Sequence, residues 1–205
     1  MQRVGISMED LTRAYNKVRK DLADVGLLKE DKYLDGIECW MSSWIDGLWE
    51  RAYVYDAGTD RILNLMGWFE GVIYVPFNAT VDVFTPGNTL VDTIRHEYGH
   101  AWAWLDLEYV DRPWFARTFG GEYHHDKWTA DEKPDYTEED FVSRYACTNP
   151  KEDFAETFMF YLKYRNNLDR FAKSRPGVYR KLKAVEKVVK AAARSRVDLI
   201  DWVDR

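Results

Sequence analysis

"DTIRHEYGHAWAWL", residues 92–105, places two histidines four positions apart, His96 and His100, in a largely apolar run, with Glu97 directly after the first. Histidine is scarce, since the chain has only 4. Successive helical residues turn by about 100°, so the two imidazoles stand on one face, a turn apart. So placed, they can offer nitrogens to one Zn²⁺ at about 2.0–2.1 Å, and Glu97 projects beside them towards a water rather than the ion. The competing reading is a pair of histidines hydrogen-bonded inside a core.

The surroundings favour a metal. Residues 89–107 read as one helix, with Leu90, Ile94, Ala101 and Leu105 among its apolar positions. "TPGN" at 85–88 is a turn, and Asn88 or Thr89 can cap this helix. Gly99 permits another backbone to approach closely. Upstream, "GVIYVPF" at 71–77 is β-branched and aromatic, a strand whose Pro76 favours a sheet edge or a strand end.

Zinc needs a third protein ligand, and three places offer one. Glu152 and Glu156, in "NPKEDFAETF", are again four apart on an expected helix. One can bind the metal while the other orients a ligand histidine through its far ring nitrogen. Asn149 with Glu152 also resembles a capping box, and Pro150 suits a first helical turn; a cap and a ligand are compatible. Asp106 lies six residues past His100. Unbroken helix would carry it about 9 Å along the axis from His100, too far to share an ion easily. His124 and His125 lie in a loop-like segment with nothing to set their geometry. Glu152 is the leading candidate.

The rest of the chain bounds the class. Its 205 residues, 46% hydrophobic and 16% aromatic, suffice for one domain with a sizeable core. The expected organisation is a single domain over 1–205: helix, sheet and active-site helix to 110, a loop or insertion at 111–147, and a helical part from 148. Ser7 and Asp10 mark a helix start, Leu11, Tyr15, Val18, Leu22 and Val25 continue it, and Gly26 stops it. Residues 33–55 show no clean period, and "RAYVYDAGTDRILNLMG" at 51–67 reads as strand, turn, strand. Residues 112–143 read as loops. Pro176 and Gly177 precede a last helix of about 18 residues.

A net charge of −6 gives no general reason to expect a nucleic-acid partner. No stretch approaches the length of a membrane span, and the N-terminus turns amphipathic and charged at once, so a cytoplasmic address is expected. Cys39 and Cys147 are read as a reduced pair, although one bridge between them is possible. The oligomeric state is open.

"HEYGH" followed by "EDFAE" resembles the zinc metallopeptidases of the gluzincin type, in which a glutamate on a second helix completes the site. The closer likeness is to the anthrax-lethal-factor-like and Pro-Pro endopeptidase branch. There a tyrosine lies seven residues before the glutamate ligand and another glutamate four residues after it. Tyr145 and Glu156 occupy those places in "YACTNPKEDFAE", and bacterial proteins described as zinc-binding metallopeptidases share a similar "NPxEDFAE" segment. The resemblance implies an α+β, zincin-like domain with a small mixed sheet, whose edge strand, "GVIYVP", lies above the active-site helix and receives an extended peptide; an ordinary core strand is the other reading of that segment.

It also implies a zinc-dependent endopeptidase acting on a peptide or protein. His96, His100 and Glu152 would hold the metal, Glu97 would be the general base, Tyr145 would stabilise the developing oxyanion, and Glu156 would orient a ligand imidazole. The alternative is a zinc-stabilised, non-catalytic module. Its basic last helix, around "YRKLKAVEKVVKAAARSR", would contact an acidic partner, a nucleic acid or a membrane surface.

Overall fold

Ser7 opens the first helix, α1 (Met8–Asp24), through a complete capping box: its hydroxyl accepts from the Asp10 N–H at 3.1 Å, and the Asp10 carboxylate accepts back from the Ser7 N–H at 3.3 Å. Leu11, Ala14, Val18 and Leu22 then fall on one stripe, and all are buried. The computed structural model describes residues 6–28, 32–42, 53–56, 71–76, 88–105, 113–121, 123 and 135–194. Among these, α2 (Lys32–Gly36), β1 (Glu38–Ser42), β2 (Tyr53–Asp56) and β3 (Gly71–Pro76) come next in order. Then come α3 (Leu90–Leu105), α4 (Pro113–Phe119), a short 3₁₀ turn (Ala146–Thr148), α5 (Pro150–Tyr164), a second 3₁₀ turn (Leu168–Phe171) and α6 (Pro176–Arg194). The architecture is α+β and mostly helical, with a small mixed sheet.

That sheet corrects one expectation. Its order is β1-β3-β2, so Gly71–Pro76 is the central strand and not the edge. It pairs in parallel with β1, Cys39 opposite Ile73, and antiparallel with β2, Val54 opposite Ile73. Pro76 is tolerated because it is the last residue of the strand, the other position its chemistry allows. β1 escaped sequence reading because Trp40, 51% exposed, puts an aromatic where the alternation calls for a polar residue. Of the strand-turn-strand expected at 51–67, the first strand is β2; residues 57–67 lie outside the described residues.

The segment 112–143 is also less loop-like than expected, because Pro113–Phe119 forms α4. Proline suits its first position, and buried Phe115 and Phe119 anchor it against Phe154 of α5 at ring separations of 5.6 Å. The core between α3 and α5 is aromatic too. Trp102 meets Phe154 and Phe158 at 5.9 and 5.2 Å, each such pair adding about 0.5–1.5 kcal/mol beyond burial. On α6, Val178, Leu182, Val185 and Val189 are buried while Lys183, Lys187 and Lys190 face solvent.

A buried ionic cluster ties α1, α3 and α5 together. Fully buried Asp21 accepts from Arg95 at 2.6 Å, and pairs with Lys17 at 2.6 Å and Arg165 at 3.1 Å. Asp92 pairs with Arg95 at 2.9 Å and Lys163 at 2.7 Å. With carboxylates and cations alternating, the buried charges are compensated rather than stranded. Arg95 directly precedes His96, so the cluster grips α3 at the turn that carries that histidine.

Candidate metal centre

α3 begins at Thr89, whose hydroxyl accepts from the Asp92 N–H at 3.2 Å while the Asp92 carboxylate accepts from the Thr89 N–H, also at 3.2 Å. Of the two expected caps, Thr89 is therefore the one used. Seven residues on, His96 and His100 are buried on the face that meets α5. Gly99 lies between them against α5: a methyl there would sit 3.1 Å from the Ala155 Cα and 3.2 Å from the Phe158 ring. The missing side chain lets the two helices approach.

α5 starts at Asn149, in extended backbone, whose side chain accepts from the Glu152 N–H at 2.9 Å. Only that half of the expected capping box forms. The Glu152 Oε2 instead faces the imidazoles, 3.2 Å from the Nε2 of His96 and 3.2 Å from the Nε2 of His100. The two Nε2 atoms are 3.1 Å apart. Among the described residues, His96, His100 and Glu152 are the group of metal-ligating side chains that converges in this way. Asp106, His124 and His125 lie outside the described residues.

The ligand atoms form a nearly equilateral triangle. In a tetrahedral zinc site with bonds of about 2.0–2.1 Å, neighbouring ligand atoms are about 3.3–3.4 Å apart, within a few tenths of the observed edges. Protonation points the same way. The His96 Nδ1–H donates to Glu156 Oε1 at 2.8 Å, leaving Nε2 with its lone pair towards the triangle. His100 Nδ1 is 3.2 Å from the Tyr123 hydroxyl; donating there, it too keeps a lone pair on Nε2. Three buried electron-pair donors in van der Waals contact are costly unless a cation joins them. The residues fit zinc.

Burial opposes a charge on His96, but Glu152, Glu156 and Glu97 outweigh it and hold the imidazole well above its ordinary range. His100 is lowered, since burial together with the charges of His96 and Lys151 exceeds what Glu152 contributes. Burial would raise Glu152, yet His100 and His96 hold its carboxyl well below the usual value. The pocket therefore favours positive charge beside Glu152.

Glu97 is buried next to His96, and its charge reaches His96, Tyr123 and Cys39. Burial and Glu97 push the Cys39 thiol up to about 12. Tyr145 is half-buried, its ring 5.7 Å from that of His96. His96, Glu97, His100, Tyr145, Glu152 and Glu156 are thus brought to one place. Cys39 and Cys147 are not joined in a disulfide.

Two neighbours were not anticipated. Tyr123 lies in "FGGEYHHDKW", where no period distinguishes a buried tyrosine from a surface one. Ser143 donates to Glu156 Oε2 at 2.6 Å. A serine three residues before a turn amide was its only local signal.

Residues 79–202, more than half the chain, match the model of the family described as "Putative zinc-binding metallo-peptidase". The chain belongs to this family. Similar relatives are uncharacterized proteins of Mycobacterium bovis and of two strains of Mycobacterium tuberculosis, each 34% identical over 101 residues. The alignments cover 45% of this chain and 29% of each relative, so the chain spans less than a third of the length of the curated relatives it matches. No solved structure matches it. Among the described residues, no helix is long and apolar enough to cross a membrane.

Proposed function

We propose that this chain is a zinc-dependent endopeptidase of the gluzincin type, a single zincin-like domain related to the lethal-factor-like and Pro-Pro endopeptidase branch, acting on a peptide or protein. The observation that carries this reading is the triangle of His96, His100 and Glu152, drawn from two helices with its donor atoms 3.1–3.2 Å apart. Membership of a family described as zinc-binding supports it.

Zinc bound there would supply Lewis acidity, lowering the pKa of a water towards about 7 and polarising the scissile carbonyl. Glu97, buried beside His96, accepts the proton of the attacking water and returns it to the leaving amine. The Tyr145 phenol, next to the His96 ring, donates to the carbonyl oxygen as negative charge develops. Glu156 holds His96 in the tautomer that directs Nε2 at the metal position. The central position of β3 means that a substrate strand does not add to that strand; if it adds to the sheet, it does so at an outer one.

The non-catalytic alternative rests on the basic last helix. α6 buries its apolar stripe in the domain, which accounts for its amphipathic pattern without a partner. The deciding experiment is Glu97→Gln, assayed for zinc content and for cleavage of a peptide library with and without chelator. The variant should retain zinc and lose cleavage by at least about 100-fold, the lower range of a general base's contribution. Undiminished cleavage sinks the mechanism.

A further inference from the structure

Residues 143–152 form a closed circuit of hydrogen bonds around the metal centre. The Ser143 hydroxyl accepts from the Ala146 N–H at 3.0 Å, closing the turn that carries Tyr145. The Tyr145 carbonyl accepts from the Thr148 N–H at 3.0 Å and from its hydroxyl at 2.8 Å. Asn149 then caps Glu152. The circuit returns through Glu156, one turn further along α5: its Oε2 accepts from Ser143 at 2.6 Å and its Oε1 accepts from His96 Nδ1–H at 2.8 Å.

Each carboxylate oxygen of Glu156 thus has a different task, and Ser143 stands where the two halves meet. A serine needed only to close the turn would require only the Ala146 bond. Here its proton also fixes the rotation of the Glu156 carboxylate, and so the direction of the lone pairs presented to His96. We infer that Ser143 is a positioning residue whose single hydroxyl sets both the Tyr145-bearing turn and, through Glu156, the orientation of the zinc ligand His96. This role depends on the triangle of His96, His100 and Glu152 being a zinc site.

The probe is Zn²⁺ itself, its affinity measured by competition with a chromophoric chelator, alongside hydrogen exchange of the Ala146 amide by NMR. Ser143→Ala should weaken zinc binding by about 3- to 10-fold, less than the roughly 10–100-fold typical of losing a ligand's direct partner, and should speed exchange at Ala146. Ser143→Thr, which keeps the hydroxyl, should restore both. In a Glu156→Ala background, Ser143→Ala should cost no further zinc affinity, because its route to His96 is gone. A structural serine acting only through the turn would weaken zinc equally in both backgrounds, and that result overturns the inference. So does tight wild-type binding left unchanged by Ser143→Ala. A wild-type chain with no zinc affinity would overturn the metal reading along with it.

Discussion

Gly99→Ala tests how closely α3 and α5 must approach for the site to exist. The added methyl would sit 3.1 Å from the Ala155 Cα and 3.2 Å from Phe158 Cδ1, against a preferred carbon–carbon separation of about 3.5–4.0 Å. The helices must part by roughly 0.3–0.5 Å, or Phe158 must shift within a core where it is fully buried. Alanine brings a helix-propensity gain of about 0.8–1.0 kcal/mol. Overpacking costs about 1–3 kcal/mol, leaving a net destabilisation of roughly 0–2 kcal/mol. Metal binding should suffer more, because acceptable zinc distances vary by only about 0.2 Å, and His96 and His100 lie across this contact from Glu152. The expected result is a melting temperature lower by only a few degrees, with zinc affinity down at least about tenfold. The rise in melting temperature on adding zinc should shrink accordingly. Thermal melts of metal-free and zinc-loaded protein measure both quantities. A Gly99→Ala variant with wild-type zinc affinity would refute the argument that this close approach sets the ligand triangle.

Removing Glu152 as alanine should abolish stoichiometric zinc after dialysis, while Asp106→Ala should keep it, as read by metal analysis of the two proteins. Asp21→Ala removes one of the two carboxylate partners of buried Arg95, leaving Asp92, and should cost about 1–3 kcal/mol in urea unfolding; a loss below about 0.5 kcal/mol would mean that water already serves these charges. Burial opposes ionisation of Asp21 and Asp92, but Lys17 and Arg95 at the first, and Lys163 and Thr89 at the second, outweigh it and hold both carboxyls below the ordinary 3.8. Their folded-state values lie below the unfolded ones, so their contribution is complete above the unfolded value and lost as pH falls through the folded ones. Urea unfolding between pH 5 and pH 2 should therefore show a shallower acid loss in Asp92→Asn than in wild type. Cys39, raised to about 12 by burial and by Glu97, should alkylate far more slowly at pH 8 than a free thiol, and Glu97→Gln should speed it.

Much of the site was legible because its parts are local. His96 and His100 share a face through helical geometry alone, and Glu152 with Glu156 repeats that spacing on a second helix. The small residue at Gly99 signalled a close approach without naming its partner, which is Ala155 on α5. Where local patterning was erased, reading failed. Exposed Trp40 hid β1, and the aromatic anchors of α4 made an ordered helix look like irregular loop. Pro76 was compatible with two positions in a sheet, and only the pairing of β3 on both sides decided between them.

By itself, then, the sequence determined the chemistry: which side chains can bind a cation, and their spacing along each helix, because backbone geometry dictates which face a residue occupies. Tertiary structure alone decided that the two helices meet at Gly99 and Ala155, that Tyr123 lies against His100 and Ser143 against Glu156 from outside either motif, and that β3 is central. Those outcomes depend on contacts between residues far apart in the chain, and no local periodicity encodes the distance between two helices.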